Sequence, residues 1–504
     1  MKISLCGGDY EGRSSDAAYI MSLNLYPEKV ETEDGTADKV LIGTPGDWNV
    51  SAWDYSTLIA QGQCRGTHTS SWGTSYAIYD NQLLQIDDDV SIGTIIGIVG
   101  ASLETTPIIF ADNGKELCMV DGIGLYIHTK GTSLVDRIDI PNVLPTHVVY
   151  NFGYFIVNNT FLDPAISYPP TNTILYYSGL YDGRKWDTSL YFFTAEGSAD
   201  PVTSIKCVSD QIWAQGTQRY ELFYPTGLNV DDLVSPGNPF ARLGTSLTQT
   251  GLYAPYSTVT TGAELFWVGI PATGGITVFK NNGIGYSRIS THAQEYQLGK
   301  GDCSDIIATA YSAEGHDFVI FSSDNLNLTL VWDDTQMTWH RRSSHNYIGP
   351  NEDRWRCRYA FARGQHTYMG SANSNQIFKL DLDKYDEHDG NVILRKHTTP
   401  IVNDELQGIS HLKVSLQVAT GNGSSDPGDL GYRPVMSMAQ SDDAGHSWNQ
   451  GPDQYMGMTT GDYGRRITWW NRGYARLRQY QFWTSAKVKQ VWVACYVDLQ
   501  STKR

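Results

Sequence analysis

The chain has 504 residues, of which 18% are charged and 12% aromatic, and it carries a formal net charge of −17. A single hydrophobic core does not usually extend over such a length, so two or three domains are expected, and the wealth of aromatics excludes disorder. The excess of acids (54 Asp+Glu against 37 Lys+Arg) argues against a general nucleic-acid binder, which grips phosphates with the opposite balance.

Residues 1–64 read as an irregular N-terminal docking segment, interrupted by Gly7-Gly8, Gly12, Gly35 and Gly43-Thr44-Pro45-Gly46. One or two helical turns are expected between Ser15 and Leu23. The start turns polar too soon for a signal peptide, and no run approaches the ~20 apolar residues of a membrane span. A soluble protein made in a cytosol, without membrane insertion, is the expectation. Seven scattered cysteines (Cys6, Cys64, Cys118, Cys207, Cys303, Cys357 and Cys495), with no CxxC pair, fit a reducing compartment rather than a disulfide or zinc framework.

From residue 65 to 385 short β-runs follow one another. Ser75–Tyr79 leads through Asp80-Asn81 to Gln82–Ile86, and Leu265–Val268 pairs naturally with Ile276–Phe279. Dividing this stretch by the ~40–50 residues of a four-stranded blade predicts an all-β chain with a β-propeller of six or seven blades. No helical periodicity lasts three turns. Residues 386–504 read as a C-terminal β domain that packs with the N-terminal segment, since termini often lie close together.

Three hairpins repeat one design: an acidic or Gly-containing turn followed by Trp. They are Trp332–His340 with Trp332 and Trp339, Tyr181–Trp186, and Ser441–Trp448. Asp bonds to backbone just ahead, Gly tolerates positive φ, and Trp covers the next strand. Ser441, Asp443, Gly445 and Trp448 have Asp-box spacing, whose purpose is structural. Beyond Thr459 nine bases face only two acids, and Arg465, Arg466, Arg472, Arg476 and Arg478 read as a basic face meeting an acidic neighbour.

Chemistry is poorly signalled. Asp87-Asp88-Asp89 reads as a solvated strand end rather than a calcium site. His292, His316, His340 and His366 fall near strand ends without HExxH spacing, no phosphate-cradling GxxxxGK[ST] occurs, and Gly269-Ile270-Pro271 lacks the arginine of a sialidase signature. No cofactor, metal or catalytic residue is expected, and the protein is not read as an enzyme.

Several stretches resemble, in order, the packaged-DNA stabilisation (head-completion) family of short-tailed phages, the podovirus tail hub or nozzle proteins. Asn24-Leu25-Tyr26-Pro27-Glu28 with Leu41-Ile42-Gly43-Thr44-Pro45-Gly46 resembles the family's opening. Tyr286–Ala293, Gly315–Phe318, the Trp332–His340 hairpin, Arg354-Trp355-Arg356, Ser371–Leu380 and Gly464–Asp498 resemble later parts. The resemblance implies a virion protein, a homohexamer around the DNA channel below the portal–adaptor complex. Asn24–Glu28 and Gly43–Gly46 would be its assembly positions, tail fibres or spikes its further partners, and double-stranded DNA would pass through it without specific binding. The competing reading is a carbohydrate-binding or carbohydrate-cleaving propeller, favoured by Trp and Tyr residues that stack on sugars.

Overall fold

Two-residue turns set the repeating unit. In the computed structural model Tyr79 pairs with Gln82, leaving Asp80-Asn81 as the turn, and Asp80 sits at φ 53°, a left-handed conformation that a short polar side chain tolerates. The structure describes all residues except 6, 17, 32–37, 51–61, 88–92, 164–169, 196, 198–199, 245–247, 346–351, 389, 405–406, 430, 458–459 and 502–504. Middle strands such as Ser75–Tyr79, Glu116–Val120 and Tyr154–Val157 are buried at every position, so both of their faces are covered.

What covers them is the next sheet. Seven antiparallel blades are formed, starting at Cys64–Thr69, Ile109–Asp112, Val148–Asn151, Val202–Val208, Thr250–Leu252, Ile307–Ala313 and Cys357–Arg363. Seven apolar clusters fill the gaps between consecutive blades, the last joining Phe361, Tyr368 and Ile377 of the seventh to Ala77, Tyr79 and Leu84 of the first. Innermost strands touch in sequence around the ring. At the closing seam Thr67 Oγ1 donates to the Ala360 carbonyl at 3.2 Å and Thr69 Oγ1 to that of Ala362 at 3.0 Å. The fold is therefore the all-β propeller expected, with seven blades.

The seventh blade does not complete itself. Its first three strands are Cys357–Arg363, His366–Ser371 and Ile377–Asp381, and the fourth is Gly46–Asn49 from the N-terminal segment. Gly46 faces Asp381 and Asn49 faces Phe378 in antiparallel register. Trp48 Nε1 donates to Asp381 Oδ2 at 3.1 Å, and the Lys384 ammonium lies 3.8 Å above the Trp48 ring. A strand from one end of the chain thus locks the ring that the other strands build.

The remaining strands make a two-sheet sandwich. One sheet runs Ile467–Ala475, Ile409–Val418, Val491–Ser501, Lys39–Gly43, Leu25–Lys29, with Lys2–Ile3 on Val491–Ser501. The other runs Arg395–Thr398, Leu477–Thr484, Val435–Ser441, Asn449–Gln450, and Ser22–Leu23 joins it to Thr338–Arg341 of the sixth blade. One sheet of 11 strands therefore spans propeller and sandwich. Trp469, Trp492, Phe482, Met436 and Leu416 fill the space between the layers. The N-terminal segment is shared: Lys2–Ile3, Leu25–Lys29 and Lys39–Gly43 pair in the sandwich, Ser22–Leu23 pairs with both units, and Gly46–Asn49 pairs in the propeller.

One local expectation is corrected. Ser15–Leu23 holds no helix among its described residues: Tyr19–Ile20 pairs with Tyr10–Glu11, and Ser22–Leu23 is claimed by strands of both units, so ladder bonds prevail over local turns. Conversely, His292–Leu298 is an α-helix, with a capping box between Thr291 and Gln294. It is held by Gln294 Nε2 on the Asp9 carbonyl and Gln297 Nε2 on that of Glu11, each at 2.8 Å.

Closure places a sharp demand on Gly46. A Cβ there would lie 2.5 Å from the Lys384 carbonyl oxygen and would also overlap that of Asp386. Gly46→Ala is expected to lower stability by at least ~1–3 kcal/mol, the usual cost of overpacking, read as a fall in the thermal unfolding midpoint. An unchanged midpoint would show that this strand does not seat as described.

Candidate functional site

The two motif stretches, 24–28 and 43–46, meet at the joint between propeller and sandwich. Leu25–Lys29 pairs with Lys39–Gly43, placing Leu25 opposite Gly43 and Pro27 opposite Leu41. Pro27 lacks an N–H to donate and is tolerated because Leu25–Lys29 is the edge of its sheet.

Asn24 is the centre of the joint. Its backbone N–H donates to the Arg341 carbonyl at 2.8 Å, and its own carbonyl accepts from Thr44 N at 3.1 Å. Its side-chain Nδ2 donates to the carbonyls of Ser343 and Leu394 at 3.1 and 2.9 Å, while Oδ1 accepts from Ser343 N at 3.0 Å. One buried amide therefore ties blade six, the N-terminal hairpin and the start of the C-terminal sheets together. Its φ of 52° suits Asn better than any β-branched residue.

Tyr26 plugs the underside of blade six, edge-on to His316 at 5.1 Å and to Phe318 at 5.2 Å between ring centres. Glu28 reaches His316 Nε2 at 3.8 Å, and His316 Nδ1 sits 2.7 Å from Asp333 Oδ2. Burial opposes a charge on His316, but Asp333 and Glu28 outweigh it and raise its pKa. Gly43 lets Arg395 approach: an added Cβ would fall 2.7 Å from its Nε. Arg395 Nη2 donates to the Thr44 carbonyl at 3.1 Å, and burial pulls this guanidinium down to about 10. Pro45 and Tyr26 line a shallow groove of about 260 Å³ with Phe318 and Leu380.

Charge is buried here to an unusual degree. Arg341 binds Asp9 at 3.0 Å and Glu11 at 2.8 Å. Among the described residues no carboxylate pairs with Arg342; its guanidinium stacks on Phe318 and Trp355 at 4.9 Å and on Tyr311 at 5.3 Å. Neither arginine was singled out from the sequence, although His340-Arg341-Arg342, directly after a strand carrying Trp339, was a visible signal.

The hairpin residues are structural. Trp332 and Trp339 are cross-strand partners with ring centres 5.2 Å apart; Trp332 Nε1 donates to Asp334 and Trp339 Nε1 to the Ile289 carbonyl, each at 2.9 Å. The Asp box forms as its spacing predicts, with Ser441 Oγ donating to Asp443 Oδ1 at 2.7 Å, Gly445 at φ 91°, and Trp448 Nε1 on the Gly445 carbonyl at 3.1 Å. It belongs to the sandwich rather than to a blade. Tyr181–Trp186, in blade three, repeats its lock: Trp186 Nε1 donates to the Gly183 carbonyl at 2.7 Å.

The five arginines do not share one face. Arg465, Arg466 and Arg476 are exposed and Arg472 half-buried, whereas Arg478 is buried in a two-point pair with Asp442 at 2.6 and 2.7 Å. Arg478 therefore serves the sandwich core, because a guanidinium fork fits a carboxylate in two places at once. Beside Arg465 and Arg466 lies a groove of about 590 Å³ on the outer sheet face, lined also by Lys413, Gln417, Tyr496 and Asp498. Asp88 and Asp89 lie outside the described residues, and among the described residues no cluster of three or more His, Cys, Asp or Glu is arranged to hold a metal ion.

Residues 1–385 match the family described as "Bacteriophage P22 Gp10, beta-propeller". The chain belongs to this family of phage tail β-propellers. No curated protein matches. Solved structures with a similar outline include YCF48 bound to D1 peptide (10% identity, TM-score 0.39, covering 66% of this chain and 97% of that one). Another is virginiamycin B lyase from Staphylococcus aureus (12%, TM-score 0.38, covering 64% and 96%). A third is the extracellular domain of the putative hybrid two component system BT4673 from B. thetaiotaomicron (11%, TM-score 0.42, covering 81% and 44%). None of these likenesses bears on function. Family membership makes the tail β-propeller a virion component, and among the described residues no helix is long and apolar enough to cross a membrane.

Two measurements probe the joint. Asn24→Ala strands the Ser343 N–H and two carbonyls in a buried place and is expected to cost ~2–4 kcal/mol, checked by urea unfolding; a cost within ~0.5 kcal/mol would contradict the clamp. The second concerns acid. Burial keeps His147 and His397 neutral, with pKa values of about 3, holds His411 at about 4, and pushes His340 well below its ordinary value. These groups take up protons only on unfolding, so their contribution is complete above pH ~6.5 and is lost as pH falls toward their folded values. Between pH 7 and 5 each is expected to weaken folding by up to ~2 kcal/mol, opposed by groups whose folded pKa is raised, among them His316 and Glu387, the latter a carboxyl that burial lifts to about 7. His397→Gln is expected to flatten this acid limb, and a stability independent of pH in that window would refute the assignment.

Proposed function

We propose that this tail β-propeller is a structural subunit of a tail hub or nozzle, continuing the DNA channel below the portal–adaptor complex. In this reading it helps retain packaged DNA, allows its ejection and anchors fibre or spike proteins, acting through shape rather than catalysis. The observation that carries the reading is the family match across residues 1–385, which takes in the clamp at Asn24 and all seven blades.

Physical considerations support it. A conduit under load must not hinge, and here two units share one continuous sheet with buried ion pairs at its crossing. A net charge of −17 per chain repels DNA, so a ring of six such subunits would let the genome pass without sticking. Retention would then rest on a constriction. The outer sandwich face is a docking surface of the right kind: Trp470 and Tyr474 are exposed beside Lys413, whose ammonium lies 5.2 Å from the Trp470 ring, and Arg465 and Arg466 flank it. Exposed aromatics with arginine are what interface cores are enriched in, and an acidic surface is their natural complement.

Mixed with portal–adaptor complex, the purified chain is expected to form a sixfold ring with a central hole, visible by electron microscopy. The double variant Trp470→Ala, Arg466→Glu is expected to weaken docking by about tenfold or more. A chain that remains monomeric beside its adaptor and rapidly cleaves capsular or sialylated sugars would instead establish the carbohydrate-active reading.

A further inference from the structure

In blade four the connection between Tyr220–Pro225 and Phe240–Arg242 runs over residues 226–239, where a hairpin needs only ~2–5. At its tip Leu233 and Val234 stand almost wholly in solvent, 99% and 89% exposed. The tip is nevertheless held in shape. Asp232 Oδ1 accepts from Val234 N at 2.8 Å and Asn229 Oδ1 from Asp231 N at 3.0 Å, while Gly237 N donates back to the Asn229 carbonyl at 3.1 Å. The loop is also strapped to blade three: Asp231 Oδ2 receives the Lys185 ammonium and the Tyr191 hydroxyl, each at 2.7 Å. A loop fixed this firmly around two unburied aliphatics forgoes burial that a partner would restore.

The neighbouring rim extends this knob. Leu228 is exposed in the same loop, and Leu190 and Phe192 are exposed on blade three, where Asn238 Nδ2 donates to the Phe192 carbonyl at 2.9 Å. The surrounding charge is acidic: Asp231 is paired with Lys185, but among the described residues no ion pair engages Asp182, Asp187 or Asp232. The outer sheet of the sandwich presents the converse surface. Lys413 lies between Trp470 and Asp498 in one cross-strand row, and Ser415 between Thr468 and Tyr496 in the next but one, so Trp470 and Tyr496 share the outer face. Arg465 and Arg466 border the groove of about 590 Å³ beside them, which has room for a leucine and a valine side chain. Copies of a chain with net charge −17 repel one another at long range, so their association needs a local reversal of sign. The stretch beyond Thr459, with nine bases against two acids, supplies it.

The knob belongs to blades three and four, whereas the sandwich is joined to blades six and seven, so both surfaces stand exposed on one chain and neither covers the other. From this pairing of an apolar, acidic knob with an aromatic, basic groove we infer that copies of this chain meet head to tail. Leu233 and Val234 of one copy seat in the outer sandwich groove of the next, with Asp232 set against Arg465 and Arg466. A contact between two different patches closes into a ring when its rotation permits. Opposite charges steer it, and burial of the aliphatics beside Trp470 holds it. This contact rests on the tail-ring reading above and adds the surfaces through which neighbouring subunits meet.

The test is sedimentation velocity of the full-length protein, alone and with portal–adaptor complex. The wild type is expected to self-associate. The double variant Leu233→Ser, Val234→Ser and the single variant Arg466→Glu are each expected to weaken that association by about tenfold or more. All three positions are exposed, so the thermal midpoint of either variant should match the wild type. Mixed in equal amounts, the two variants are expected to regain one-to-one pairs and nothing larger, since each supplies the half of the contact that the other lacks. Variants that associate as the wild type does, or a mixture that forms no pairs, overturn the inference, and wild-type rings on the complex would then leave the tail-hub reading standing. A wild type that stays monomeric both alone and with the complex removes both.

Discussion

One strand pairing governs this molecule: Gly46–Asn49 lying along Ile377–Asp381. Inter-blade apolar clusters supply most of the burial, yet each joins blades consecutive in sequence except the last, which joins blade seven to blade one. A ring of blades is stable only if its first and last members meet, and here the fourth strand of blade seven comes from more than 300 residues away. Loop-closure entropy for such a contact grows only slowly with length, so one short strand can hold a large ring if its register is firm. Firmness comes from Gly46, which admits the 384–386 backbone, and from Trp48, anchored by Asp381 and covered by Lys384.

That strand follows directly on Thr44 and Pro45, and so the closure of the ring and the attachment of the sandwich are one event. Residues 24–46 make a single path: Asn24 clamps three segments, the hairpin joins the sandwich sheet, and the chain then turns into the propeller. Arg341, Arg342 and Arg395 stand around this path, each held differently: by carboxylates, by aromatic rings, or by carbonyls. Such groups are poor sources of net stability but fix geometry, because a displaced strand would leave a guanidinium unpartnered. A joint of this kind suits a part that must hold its orientation under load.

Much of the fold was legible in the sequence because the propeller is locally encoded. Asp80-Asn81, the Trp332–His340 hairpin and the Asp box all state their turns within eight or nine residues, and all form. What was not legible depends on distant partners. Ser22–Leu23 is a strand only because Arg341 and Lys396 lie on either side of it. Blade number stayed open between six and seven because the closing strand lies outside the repeating stretch. Arg478 read as surface charge since nothing near it in sequence reveals Asp442 as its buried partner. The His292–Leu298 helix is two turns long, too short for periodicity, although Thr291 and Gln294 announced its start.

Hydrogen exchange resolved to short peptides tests closure by the N-terminal strand most directly. In the full-length protein under native conditions, the peptide containing Gly46–Asn49 should be protected to the same degree as that containing Ile377–Asp381, and both should open together on mild destabilisation. Exchange of residues 46–49 at the rate of a free tail, with 377–381 still protected, would mean that the ring closes by other means and would contradict this account.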